Sequence, residues 1–91
     1  MKWQIYSLGQ FYDCSEGMVV YFDSASGDTH LINDFAAYLI KQIANLNRPV
    51  CNEELITLIT ADIEPADLSE LTLAIPDILS ELVALDIVAL V

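Results

Sequence analysis

The spacing of apolar and polar residues changes from strand-like to helix-like near residue 34. Before that point, short apolar runs are separated by turn residues, and residues 18–23 are rich in the Val, Tyr and Phe that favour strands. Residues 24–27 are small and polar, as is typical of the reversal between two antiparallel strands. The pattern therefore predicts a meander of three antiparallel strands, over roughly residues 10–14, 18–23 and 28–32.

The apolar segments at the two ends of the chain permit two interpretations each. Residues 3–6 either extend the first strand or form an arm that packs on the core, and residues 87–91 form either an extended, packed tail or a short strand.

The middle strand has four successive β-forming residues, which suits a central strand that is covered on more than one side.

From Asp34 onward, apolar residues recur every three or four positions, which predicts helices. Asn33 is a suitable N-cap for the first helix, and Pro49 cannot continue it. A second helix is expected from near Asn52, whose side chain can cap it, to Ala61 or Asp62.

The third helix is expected to begin at Pro65, because proline is favoured at the first helical position. Pro76 lies inside the same periodic pattern, so the helix either kinks there or divides into two pieces. We favour the kink, because the apolar stripe keeps its phase across Pro76. The whole order predicts one α+β domain over residues 1–91, with a winged-helix-like arrangement: a three-stranded antiparallel sheet followed by three helices (β-β-β-α-α-α).

The charge of the chain narrows the classes of function. The net charge is −11, and Lys2, Lys41 and Arg48 are the only Lys and Arg residues. Nucleic acids and anionic membrane surfaces are bound through clusters of Lys and Arg, so neither is an expected partner. No apolar run approaches the roughly twenty residues of a membrane span, and residues 1–6 do not resemble a signal peptide, so a cytoplasmic location is expected.

The candidate chemical groups are few. Cys14 and Cys51 are far apart and lack metal-ligand spacing, so two reduced thiols are expected. His30 is the only histidine and has no recognisable nucleophile as a partner, so its ring is expected to pack near the strand–helix junction or to bond a neighbouring backbone group. We therefore expect a protein that is not an enzyme and needs no metal or cofactor.

One stretch has a specific sequence. Residues 27–33 read Gly-Asp-Thr-His-Leu-Ile-Asn, and residues 35–39 read Phe-Ala-Ala-Tyr-Leu. This stretch resembles the PqqD-like family, and in particular the branch found beside HPr-kinase-related proteins, where a Gly-Asp-Thr-His-Leu-Leu-Asn string leads into an Ala-Ala helix. Residues 78–88 resemble the closing helix of that family and the apolar segment after it, although Asp86 stands where glycine is usual. The likeness in layout extends over about residues 3–91.

The resemblance implies a peptide chaperone, also called a precursor-peptide recognition element. Such a protein captures a leader peptide by strand addition at its third strand and third helix, and presents it to a modifying enzyme, often of the radical-SAM type. Carried over to this chain, the resemblance implies a peptide-binding site made of Asp28, Thr29, His30, Leu31 and Ile32 on the strand and Ile75, Ile78, Leu79 and Leu82 on the helix.

Two further interpretations follow from the residues themselves. An open strand edge can pair with a second copy of the chain, which would give a homodimer. The net charge alone also suits an acidic inhibitor or nucleic-acid mimic that occupies a basic cleft. For a peptide site, the excess of carboxylates suits a guest that carries Lys or Arg.

Overall fold

The computed structural model describes residues 2–14, 16–23, 26–63 and 65–91. Its elements, in chain order, are β1 (Trp3–Gln4), β2 (Gln10–Asp13), β3 (Met18–Asp23), β4 (Asp28–Asn33), α1 (Asp34–Leu46), α2 (Asn52–Asp62), α3 (Pro65–Ala84) and β5 (Ala89–Leu90). The predicted α+β layout, with a three-stranded antiparallel sheet followed by three helices, is confirmed.

The main sheet has the order β2-β3-β4, with both pairs antiparallel. Tyr21 at the centre of β3 pairs with Phe11 on one side and with His30 on the other. The predicted strand boundaries are correct to within one residue, since β2 ends at Asp13 and β4 continues to Asn33.

Only one face of this sheet is covered by helices. On the inner face Val19, Tyr21 and Ile32 are buried, whereas Met18 and Phe22 on the outer face are only half-buried. The two faces of β3 are therefore buried to different degrees: the inner face fully, the outer face in part. Side chains alternate between the two faces of a strand, and here the helices bury only the inner set.

The start of α1 follows the predicted capping, but the start of α2 does not. The Asn33 side chain accepts a hydrogen bond from the backbone N–H of Ala36 at 2.7 Å. At α2 the N-cap is Cys51, which makes no side-chain capping bond. The Asn52 side chain instead accepts from the indole N–H of Trp3 at 2.6 Å, so a tertiary contact uses the oxygen that was expected to cap the helix.

The third helix begins at Pro65, as predicted, and continues to Ala84 with Pro76 inside it. It is therefore a single helix, and the interpretation of two pieces is excluded. Asp86 follows with φ of 61°, a left-handed conformation that glycine adopts without strain. The segment after α3 thus has glycine-like backbone angles although it carries an aspartate.

The two ends of the chain form a second, two-stranded sheet, in which β1 and β5 pair antiparallel. Lys2 and Val91 exchange backbone hydrogen bonds of 3.3 and 2.8 Å, and Trp3 exchanges two more with Val50. Residues 3–6 are therefore an arm on the core rather than part of the first strand. The C-terminal tail is both packed, through the buried Ile87 and Val88, and a strand.

The core lies between the inner face of the main sheet and the helices. Its fully buried large side chains are Tyr21, Leu39, Ile40, Ile43, Val50, Leu55, Ile59, Ile75, Leu79 and Leu82. Among the described helices, none combines the length and apolar character needed to cross a bilayer.

Candidate binding groove

Every second residue of β4 directs its backbone groups away from β3. The backbone N–H of Asp34 donates to the carbonyl of Gly17 at 2.8 Å, which extends the β3–β4 register by one hydrogen-bonded pair. Hydrogen-bonded pairs recur at every second residue of an antiparallel ladder, so His30 and Ile32 also bond to β3. The backbone groups of Thr29 and Leu31 therefore point to the open side of the sheet.

The other strand pair gives the same phase. The backbone N–H of Cys14 donates to the carbonyl of Met18 at 3.0 Å, so the even-numbered residues of β3 bond to β2 and its odd-numbered residues bond to β4. In the part of the chain that the structure describes, no strand lies beyond β4. Five groups remain on the open edge: the N–H and C=O of Thr29 and Leu31, and the N–H of Asn33. The C=O of Asn33 is not counted, because the C=O of an N-cap residue accepts the first hydrogen bond of its helix.

A groove of about 260 Å³ lies beside this edge. In backbone packing β4 lies closest to β3 and α1, whereas α3 lies closest to α2, which leaves the groove between β4 and α3. The groove is lined by Met18, Leu31, Ile32, Asn33, Ala36, Ile78, Glu81, Leu82 and Leu85.

The lining is mostly apolar and partly open to solvent. Leu31 is 62% exposed and Leu85 is 40% exposed, although both are large apolar residues. Glu81 is the single charged residue among those that line the groove, and it is exposed. The site thus combines unpaired backbone groups, apolar side chains and one carboxylate.

The groove brings together four of the nine residues that the resemblance implied: Leu31 and Ile32 from β4, and Ile78 and Leu82 from α3. Asp28 and Thr29 are exposed on β4 but do not line the groove. Ile75 and Leu79 are at most 1% exposed and belong to the core, so their side chains do not reach the groove surface.

His30 lies on the inner face of the sheet, opposite Tyr21, and is half-buried. Its Nε2 atom is buried and has no hydrogen-bond partner among the described residues. The His30 side chain is not part of the groove lining.

Five lining residues were missed at the sequence level: Met18, Asn33, Ala36, Glu81 and Leu85. Glu81 and Leu85 lie three and seven positions after Ile78, so helical periodicity places Glu81 on the same face of α3 and Leu85 in line with it just after the helix. Met18 could be found only from the strand register, which places it opposite Asn33.

A larger pocket, of about 390 Å³, lies between α1 and α3 and is lined by Asp34, Phe35, Tyr38, Glu70 and Leu71. Its residues come from α1 and α3, so no strand edge lies among them. This pocket therefore lacks the open strand edge that distinguishes the β4 groove, and we consider the β4 groove the better candidate.

Metal-ligating side chains are not grouped together in the described residues. These residues contain no group of three or more His, Cys, Asp or Glu that could hold a metal ion, and Cys14 and Cys51 are both free thiols. Exposed carboxylates occur on every main-sheet edge and helix, for example Asp13 on β2, Glu53 on α2 and Asp77 on α3. The acidity is thus distributed over the elements.

No family model matches the chain, and no curated protein and no solved structure matches it significantly.

Proposed function

We propose that this protein is a non-catalytic peptide-binding protein, which captures an extended segment of another polypeptide by strand addition at β4. The observation that supports it is the coincidence of two features: alternate backbone groups left unpaired on the edge of β4, and an apolar groove beside the same edge. Backbone bonds of this kind give affinity for any extended chain, and pockets for alternate side chains give selectivity.

The size of each contribution indicates that both features are needed. Five hydrogen bonds at about 0.5–1.5 kcal/mol each would together contribute roughly 2.5–7.5 kcal/mol. Association and ordering of a flexible peptide cost a similar or larger amount. Side chains of the guest must therefore enter the groove between Leu31 and Leu82 for binding to be useful.

A narrower proposal rests on the PqqD-like resemblance of residues 27–39. In that case the guest is the leader segment of a precursor peptide, and the protein presents it to a peptide-modifying enzyme, of the radical-SAM type in many members of that family. The protein would then act in the cytoplasm and need no cofactor of its own, because the chemistry belongs to the enzyme partner.

Amide hydrogen exchange read by NMR tests the proposed edge directly. We expect the amides of Thr29, Leu31 and Asn33 to exchange rapidly in the protein alone and to become protected when an extended peptide binds. The amides of His30 and Ile32 already bond to β3, so their protection should change little.

The opposite edge of the sheet supplies the control. On β2, the backbone groups of Phe11 and Asp13 point away from β3 by the same alternation. Their exchange should stay constant. Protection at Phe11 and Asp13 with no change at Thr29 and Leu31 would show that the peptide uses the wrong edge and would refute the proposal.

A pair of proline variants separates binding from folding. Thr29→Pro removes an N–H that points to solvent, and proline is tolerated at such positions of an edge strand. We expect the variant to fold and to bind peptides at least about fivefold more weakly. The hydrogen bond from the N–H of residue 29 to the guest is lost, and the adjacent hydrogen bond is weakened. His30→Pro removes a bond to β3 instead, and should lower the free energy of unfolding. Unchanged peptide affinity in Thr29→Pro would contradict strand addition.

A further inference from the structure

The groove contains one charged side chain, which forms no ion pair within the described part of the chain. Glu81 is exposed on α3, and the only ion pair among the described residues joins Arg48 to Glu54. Ile78 and Leu82 lie three positions before Glu81 and one position after it, and both line the same groove. Glu81 is therefore a carboxylate at the rim of an apolar surface, available to a cation from outside.

The charge of the chain indicates what occupies the groove. A second copy would bring a net charge of −11 to a molecule of the same charge and could offer only three cations. Two of these are engaged, since Lys41 lies 4.7 Å from the centre of the Phe11 ring and Arg48 pairs with Glu54. The complementary occupant is a basic segment from another protein.

The geometry of a strand limits where its basic residue can stand. Side chains on one side of a strand are two residues apart, which is about 6.6–6.8 Å. Neighbouring side chains on a helix surface, such as Ile78 and Glu81, are about 5–6 Å apart. In the guest strand, the residue next to the apolar anchor would point to the side away from the groove, and a residue four positions away would lie about 13 Å from the anchor. Only the residue two positions away is therefore close to the spacing between Ile78 and Glu81.

Taking the groove as the peptide site proposed above, we propose that it selects extended peptides in which Lys or Arg stands two positions from an apolar anchor residue. The anchor packs against the half-buried Ile78, and the cation pairs with Glu81. Coulomb attraction also raises the rate of association of such a guest with the acidic protein.

Three synthetic peptides test the selection. Each has nine residues of alternating Thr and Ser with capped ends and Leu at the fifth position. The first carries Lys at the seventh position, the second carries Glu there, and the third carries Lys at the sixth. Titration to about millimolar concentration, followed by the NMR signals of Thr29 and Leu31, gives the three affinities. We expect the first peptide to bind up to about fivefold more tightly than either other peptide, the range of a partly exposed ion pair.

Two variants assign the preference to Glu81. Glu81→Gln should remove the preference for Lys at the seventh position, and Glu81→Lys should reverse it in favour of Glu. Glu53→Lys makes the same change in net charge on α2, outside the groove, and should leave the ratio of affinities unaltered. The preference should also vanish in 1 M NaCl, where charges are screened within about 3 Å.

The possible results distinguish the two proposals. If all three peptides shift Thr29 and Leu31 equally in every variant, the selection is refuted and strand addition stands. If no peptide shifts these signals, strand addition itself is refuted. If the signals of Thr29 and Leu31 instead change with protein concentration alone, a second copy occupies the edge, and the basic guest is refuted.

Discussion

Gly9 lies so close to β3 that a side chain has no room there. A Cβ atom at Gly9 would collide with the backbone oxygen of Phe22 and lie 2.9 Å from the ring of Tyr21. The close approach lets the N–H of Gly9 donate to the Tyr21 hydroxyl at 2.7 Å. Burial raises the pKa of this hydroxyl, so it stays neutral and able to accept at ordinary pH.

Replacing this glycine should destabilise the fold. In Gly9→Ala the new methyl group meets backbone atoms of Phe22, which cannot rotate away, so the segment must move and the bond to Tyr21 is weakened. We expect the free energy of unfolding to fall by about 1–3 kcal/mol. Urea unfolding measures this, with Ser7→Ala, an exposed neighbour, as the control. Equal midpoints for the two variants would contradict the assigned packing.

At the scale of elements, periodicity predicted the number, order and approximate limits of the three helices and of the meander. It could not divide the apolar stripe of α3 between core and groove. Ile75 and Ile78 are both in that stripe, yet Ile75 is buried and Ile78 lines the groove. The difference depends on which element faces each turn of the helix, and no local pattern records that. The cap at Asn52 failed for the same reason, because its partner, Trp3, is distant in sequence.

One polar contact joins α1 to the end of α2. The hydroxyl of Tyr38 donates to Asp62 at 2.8 Å, and burial together with this carboxylate raises the pKa of Tyr38 to about 12. The folded protein therefore keeps this proton after the unfolded chain, with its ordinary pKa near 10, has lost it. The contribution to stability is complete below pH 10 and is lost as the pH rises from about 10 to about 12.

The alkaline loss of stability should be smaller in Tyr38→Phe than in the parent protein. Unfolding by urea at a series of pH values from about 8 to 12 measures it, and the ultraviolet absorbance of the phenolate reports the titration itself. Asp62→Asn keeps the tyrosine but removes the charge, and should shift the late phenolate transition to lower pH. A parent protein with constant stability across this range would contradict the raised pKa.

At the scale of the molecule, the sequence predicted one compact α+β unit, and it could not predict that the ends of the chain meet. The apolar ends were each compatible with two structures, because two-residue strands such as β1 and β5 have no periodicity of their own. The charge of the molecule, in contrast, follows directly from the composition. Fourteen acidic residues against three basic ones, on a body with a radius of gyration of 12.6 Å, must repel one another in the folded state.

Salt should therefore stabilise this protein. The screening length falls from about 30 Å at 0.01 M salt, which exceeds the radius of gyration, to about 8 Å at 0.15 M, which is shorter. We expect the thermal midpoint to rise between these two concentrations of NaCl. Asp13→Asn combined with Asp77→Asn removes two exposed charges and should reduce the rise. A midpoint that falls with added salt would show that attractive ion pairs outweigh the repulsion.

The pair of backbone hydrogen bonds between Lys2 and Val91 has a consequence for the unfolding of the protein. Loss of β5 would remove the strand that pairs with Trp3, and loss of β1 would remove the strand that pairs with Leu90. When either of these two strands detaches, the other therefore loses its pairing partner. Proteolytic cleavage within β5 should therefore make β1 susceptible to proteolysis as well, and cleavage within β1 should do the same to β5.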